Sequence, residues 1–240
     1  MITQQIAEGV TIYNPKKWES NIRIRGILFD MDGLILDTEK LYTRFWQEAA
    51  NALGYPLTKE QAMGLRSLSG KIGAARLQSY FDKPIDYETV RIKRVELMNA
   101  YIDKKGVETK AGIRELLAFL KEKGVKTAIA TSSPIERAIK YLTFVGLEDA
   151  FDELISGDMV KMGKPYPDIY LLAAEKLGLK PKECLALEDS QSGLLSGSRA
   201  GCYPVMIPDQ DEPTPEIEEI LFAKADNLKC IISLLKWLEK

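Results

Sequence analysis

Phe29-Asp30-Met31-Asp32-Gly33-Leu34-Ile35-Leu36-Asp37-Thr38 follows an apolar run (Ile22, Ile24, Ile27, Leu28, Phe29) that reads as a buried β-strand. At its end stand two carboxylates one residue apart, then a glycine that lets the chain turn sharply. Open parallel sheets gather ligands at the carboxyl ends of their strands. Side chains alternate along a strand, so Asp30 and Asp32 are expected to point the same way and converge on one site. Two like charges that close call for a cation or a shifted pKa.

Outward from this stretch the chain changes character twice. From Glu39 to about Lys105 it reads helical: Phe45, Trp46, Ala49, Ala50 and Leu53 recur at helical spacing, and Thr58-Lys59-Glu60-Gln61 is a capping box. Beyond Gly106 helices and strands alternate. Ile113, Leu116, Leu117 and Leu120 form a helical face, followed by strand 125–130, strand 151–155, helix 167–177, strand 184–187, helix 190–200, strand 203–207 and a closing helix 231–238. Strands separated by helices imply an α/β fold, a doubly wound parallel sheet covered on both faces. The expected organisation is an N-terminal extension (1–21) able to supply a strand at the sheet edge, a Rossmann-like core (22–37 and 106–240), and a helical cap (38–105) inserted after the first strand.

The composition narrows the chemistry. With 240 residues, 45% hydrophobic, and a net charge of −2, the chain can bury a large core and has no basic surface for nucleic acid. No apolar stretch reaches the roughly 18 residues of a membrane span, and the first residues do not read as a secretory signal. Cys184, Cys202 and Cys230 are odd in number and widely spaced, as buried thiols of a cytoplasmic protein would be. Histidine is absent, which excludes Ser-His-Asp and Cys-His catalysis and histidine-ligated zinc. Proton transfer then falls to carboxylates, Lys, Tyr or Cys.

Four strand ends carry polar residues in order: Asp30/Asp32, Thr131/Ser132, Lys164 before Pro165, and Glu188/Asp189. Each alone reads as a cap, a solvated loop or a surface lysine; Ser133, before Pro134 and with Glu136 three residues on, reads as a helix N-cap. Jointly they are a constellation. Asp30-Met31-Asp32-Gly33, Ala130-Thr131-Ser132-Ser133, Gly163-Lys164-Pro165-Tyr166-Pro167-Asp168 and Leu187-Glu188-Asp189-Ser190 together make the chain, from about Ile22 onward, resemble the haloacid dehalogenase superfamily. The resemblance is to the subgroup that includes β-phosphoglucomutase and sugar- or nucleotide-phosphate phosphatases. It implies Asp30 as nucleophile towards phosphorus and Asp32 as general acid, then base. It also implies Mg²⁺ held by the Asp30 carboxylate, the Asp32 backbone carbonyl and Asp189, with Glu188 as a ligand or directly behind the ligands. Thr131, Ser132 and Ser133 would hold phosphate oxygens, and Lys164 would neutralise their charge.

The cap is less legible. Thr38 resembles a hinge or substrate contact and also reads as a plain N-cap. Arg66 and Lys71, in the glycine-flanked stretch 64–71, suit a phosphate or sugar, and a solvated loop equally. Where β-phosphoglucomutase-like enzymes usually carry a histidine, this chain has Tyr42, which tilts the reading from mutase to hydrolase. The expected function is therefore Mg²⁺-dependent hydrolysis of a small phosphorylated metabolite, a sugar phosphate or nucleoside monophosphate, by a monomer. A phosphomutase, and a non-catalytic phosphate- or metal-binding regulator, are the alternatives.

Overall fold

The computed structural model describes residues 2–18, 22–65, 68, 70–209 and 212–239, and divides the chain into two compact units, 1–36 with 109–240 and 37–108.

The first unit is built on one eight-stranded sheet. Its strands are β1 (Thr3–Ala7), β2 (Val10–Tyr13), β3 (Gly26–Phe29), β4 (Lys126–Thr131), β5 (Glu153–Ser156), β6 (Cys184–Glu188), β7 (Tyr203–Met206) and β8 (Ala223–Ala225), in the order β1-β2-β8-β7-β6-β3-β4-β5. Strands β3 to β8 pair in parallel, whereas β1 and β2 form an antiparallel hairpin that joins β8. The N-terminal residues read as an extension thus contribute two strands to the edge of the core sheet. Trp18 closes the hairpin: its indole N–H donates to the Tyr13 carbonyl at 2.7 Å and its ring packs edge-on against Phe222. Polar Thr3-Gln4-Gln5 has no strand-like alternation, and β8, between β2 and β7, is three residues long, so neither strand is marked by a pattern in the sequence.

β3 lies at the centre because Ile27, Leu28 and Phe29 are apolar on both faces and wholly buried, the signature of an inner parallel strand. Leu28, Ala128, Ala130 and Ile155 pack under Ile169, Tyr170, Ala173 and Ala174 of helix α7 (Asp168–Lys176). In this unit helix α5 (Ile113–Lys123) buries Ile113, Leu116 and Leu120 at helical spacing and ends at Gly124, whose left-handed φ of 66° suits the stop. Helices α6 (Ile135–Phe144), α8 (Gln191–Ala200), α9 (Pro215–Glu218) and α10 (Cys230–Leu238) complete it.

The register positions the chemistry. Phe29 stands opposite Ile129 on one side and Leu187 on the other, and Thr131 opposite Ser156. The chain ends of β3, β4 and β6 are therefore level. β3 has β4 on one side and β6 on the other, so the sheet order reverses there, where α/β sheets open a crevice.

The second unit holds α1 (Glu39–Ala52), α2 (Lys59–Met63), α3 (Gly70–Gln78) and α4 (Tyr87–Lys105) around Trp46, Ala49, Ala50, Leu57, Leu77 and Val90. The capping box at Thr58 and Gln61 forms with both bonds present. Arg94, buried on α4, stacks its guanidinium 4.8 Å from the Tyr42 ring and 5.0 Å from that of Trp46. Tyr42 is thus a packing partner of a buried cation within this unit.

Candidate active site

β3 ends at Phe29, so Asp30 and Asp32 are held by loop backbone and not by strand alternation. The Asp30 amide donates to the Leu187 carbonyl at 3.0 Å, prolonging the β3–β6 ladder by one bond. The chain then folds back: the amides of Ile35 and Leu36 donate to the Met31 carbonyl, and Gly33, at φ 89°, donates to the Leu36 carbonyl. That left-handed φ is one a side chain resists. The two carboxylates meet different partners as a result.

Asp30 faces Lys164. The ammonium lies 2.5 Å from Asp30 Oδ1 and 2.5 Å from Glu188 Oε1, and all three side chains are nearly or wholly buried. Tyr170, fully buried on α7, donates its hydroxyl to Glu188 Oε1 at 2.7 Å, while the amide and hydroxyl of Ser190 donate to Glu188 Oε2 at 3.3 and 3.0 Å. Glu188 therefore has both oxygens engaged, one of them by Lys164 and Tyr170 and the other by Ser190. Gly193 makes room for it, since a Cβ there would lie 1.7 Å from Glu188 Oε1. Gly193→Ala is expected to displace Glu188 and cost about 1–3 kcal/mol of stability, measurable by urea unfolding.

One oxygen from each of Asp30, Glu188 and Asp189 lies within 4.8 Å of the others. Three carboxylates against the Lys164 ammonium leave an excess of negative charge in a buried place. Burial pushes the Asp30 carboxyl from its usual 3.8 up to about 7; Lys164 pulls against this, and Glu188 and Asp32 add to it. Burial opposes the charge on Lys164, but Asp30 and Glu188 outweigh it and hold the ammonium above its ordinary range. An all-oxygen set with surplus charge fits a hard divalent cation: Asp30 and Asp189 would hold it, with Glu188 behind them.

Asp32 meets the segment that follows β4. Its Oδ2 accepts from the Ser133 hydroxyl at 2.6 Å, and the Ser133 amide donates to Thr131 Oγ1 at 3.0 Å. Ser133 is therefore not the cap of α6. Pro134 occupies the cap position, and Asp158, from the turn after β5, accepts from the Ile135 amide at 3.1 Å. A tertiary contact replaces the local one. Thr131 is buried and Ser132 exposed beside it.

In the helical unit, Thr38 takes the N-cap position of α1 without a capping bond from its side chain. Lys71 is exposed in the first turn of α3, and Arg66 lies outside the described residues. The structure thus brings together Asp30, Lys164, Glu188 and Asp189, and separately Asp32, Ser133 and Thr131, at one edge of the sheet. Sequence reading missed Tyr170 and Gly193, and took Ser190 as part of the acidic motif without its bonds to Glu188. A tyrosine on the apolar face of α7 was the available signal, because a buried hydroxyl needs a polar partner.

Comparison with known proteins agrees with this geometry. The haloacid dehalogenase-like hydrolase family matches residues 24–201. A phosphorylated carbohydrates phosphatase of Thermotoga maritima is 34% identical over 178 residues, 74% of this chain and 82% of its own length. Hexitol phosphatase A of Escherichia coli is 31% identical over 205 residues, 83% of this chain and 89% of its own. Among solved structures, a Thermotoga maritima protein provisionally assigned as a β-phosphoglucomutase superposes with a TM-score of 0.72 at 29% identity, covering 89% of this chain and 99% of that one. The chain belongs to the haloacid dehalogenase-like hydrolases. Within them it falls in the β-phosphoglucomutase-like group, among phosphoric monoester hydrolases.

Proposed function

We propose that the protein is a Mg²⁺-dependent cytoplasmic phosphatase that hydrolyses a small phosphorylated metabolite, a sugar phosphate or a nucleoside monophosphate, through an aspartyl-phosphate on Asp30. The observation that carries this is the buried contact of Lys164 with both Asp30 and Glu188, beside Asp189, at the edge where β3, β4 and β6 end. The carbohydrate and hexitol phosphatases among its relatives support the substrate class.

Lys164 holds one Asp30 oxygen, which leaves the other to attack phosphorus. Thr131 and the Ser132 amide, at the end of the neighbouring strand, bind oxygens of the transferred group. Asp32 gives a proton to the departing alkoxide and then takes one from the water that cleaves the acyl phosphate. Mg²⁺, held by Asp30, Asp189 and the Asp32 carbonyl, would neutralise phosphate charge. In the second unit, Thr38, Arg66 and Lys71 are the candidates for choosing the leaving alcohol.

The deciding experiment is phosphate release from a panel of phosphorylated metabolites with Mg²⁺ and with chelator. Release only with metal is the expected result; silence under both conditions overturns the reading. Melting supplies a readout independent of activity. Because the Asp30 carboxyl sits at about 7 in the folded chain and near 3.8 when unfolded, the folded state holds the extra proton between those values. Stability of the metal-free protein therefore falls as pH rises through that window. A cation must displace the same proton, so the rise in Tm on adding Mg²⁺ is expected to be larger at pH 8 than at pH 5. Equal shifts at the two pH values would place Mg²⁺ away from Asp30.

A further inference from the structure

Arg137 has no part in the mechanism above, yet it is built into it. It sits in the first turn of α6, four residues after Ser133, and its guanidinium donates to Ser133 Oγ. The same guanidinium lies 3.8 Å from Asp32 Oδ2, with the Arg137 side chain 24% and the Asp32 side chain 17% exposed. A guanidinium can only donate, so Ser133 Oγ accepts from it. The single proton of that hydroxyl is then turned to Asp32 Oδ2, at 2.6 Å. The relay runs in one direction.

We propose that Arg137 is a positioning residue for proton transfer at Asp32. By fixing the Ser133 hydroxyl as a donor, it commits Asp32 Oδ2 as an acceptor. The transferable proton is thereby confined to Oδ1. As an Asp30 oxygen bonds to phosphorus and the bond from phosphorus to the leaving oxygen breaks, the Oδ1 proton passes to that oxygen. The resulting carboxylate is already held at Oδ2. Nothing in the sequence around Pro134 marks this, since Ser133 reads there as a helix cap. The inference rests on Asp32 being the general acid of the proposed phosphatase.

The test compares kcat/KM for phenyl phosphate, whose leaving group needs a proton, with p-nitrophenyl phosphate, whose leaving group does not, at saturating Mg²⁺. Asp32→Asn is expected to lose at least about 100-fold more on the phenyl ester than on the nitrophenyl ester. Arg137→Met is expected to lose about 10-fold on phenyl phosphate and no more than about 2-fold on the nitrophenyl ester, with part of the loss recovered in Arg137→Lys. Ser133→Ala cuts the same relay without touching the arginine and should lose more on the phenyl ester than on the nitrophenyl ester. The double variant should then lose no more than either single one, because residues acting as one chain are not additive. Equal losses on both esters in Arg137→Met and Ser133→Ala, with Asp32→Asn still selective, would overturn the role of Arg137 alone. An Asp32→Asn variant that does not discriminate would overturn the acid assignment and this inference with it.

Discussion

Asp30→Asn is expected to abolish phosphate release, with a loss of about 10³-fold or more, while leaving the melting temperature unchanged or raised. The substitution keeps the shape of the side chain and the backbone bond to Leu187, but removes the attacking oxygen. It also deletes one of three carboxylates crowded around Lys164, with Glu188 and Asp189 remaining. Like-charge repulsion therefore falls as activity disappears, and the two measurements move independently. Phosphate release and a thermal melt on the same sample make the check. Activity above about a tenth of the parent would remove Asp30 as nucleophile.

Lys164→Met is the second large effect, and it appears first in stability. The ammonium bridges Asp30 and Glu188 with 5% of its side chain exposed, and Glu188 is completely buried. Removing one partner of a buried pair leaves the other uncompensated, which costs about 3–5 kcal/mol. For a chain of this size the melting temperature should fall by roughly 10 °C, with activity lost as well. Added Mg²⁺ should restore part of the melting temperature, because a divalent cation beside Asp30 and Asp189 supplies positive charge where the lysine was. A drop of less than 2 °C would mean that the three carboxylates need no cation to remain buried.

Much of the site was legible because most of its parts sit at strand ends. Asp30, Thr131 and Glu188 close apolar strands punctuated by Gly33, Pro134 and Ser190, whereas Lys164, expected at a strand end, lies in the turn before α7, well past Ser156 where β5 ends. The parallel α/β pattern then implied that those ends share an edge. The inner strands, buried on both faces, were readable from continuous apolar runs. The edge strand β5 was read as well, at 151–155; β1 and β8 were not marked, since β1 is polar and β8 is held by pairing with β2 and β7 rather than by any pattern of its own.

Ser133 shows where local reading stops. Ser-Pro-Ile-Glu is a sound helix-start signal, and a helix does start there. Its cap nevertheless comes from Asp158, and the serine hydroxyl turns to Asp32, 101 residues away in sequence. The competition is between one hydrogen bond to a nearby amide and a short one, 2.6 Å, to the Asp32 carboxyl group, and the second wins. Glu188 is a similar case. Its residue type signals a metal ligand, but Tyr170, Ser190 and Lys164 occupy both its oxygens.

By itself the amino-acid order determined the α/β class, the helical insertion after the strand that ends at Phe29, and which acids, hydroxyls and lysine are available, because hydrophobic period and turn chemistry are local properties. Only the folded chain decided how those groups divide. Lys164 and Glu188 go with Asp30, Ser133 and Arg137 go with Asp32, and Gly193 leaves room for Glu188. Such pairings depend on the register of β3 between β4 and β6, and on which oxygen each donor can reach once water is excluded.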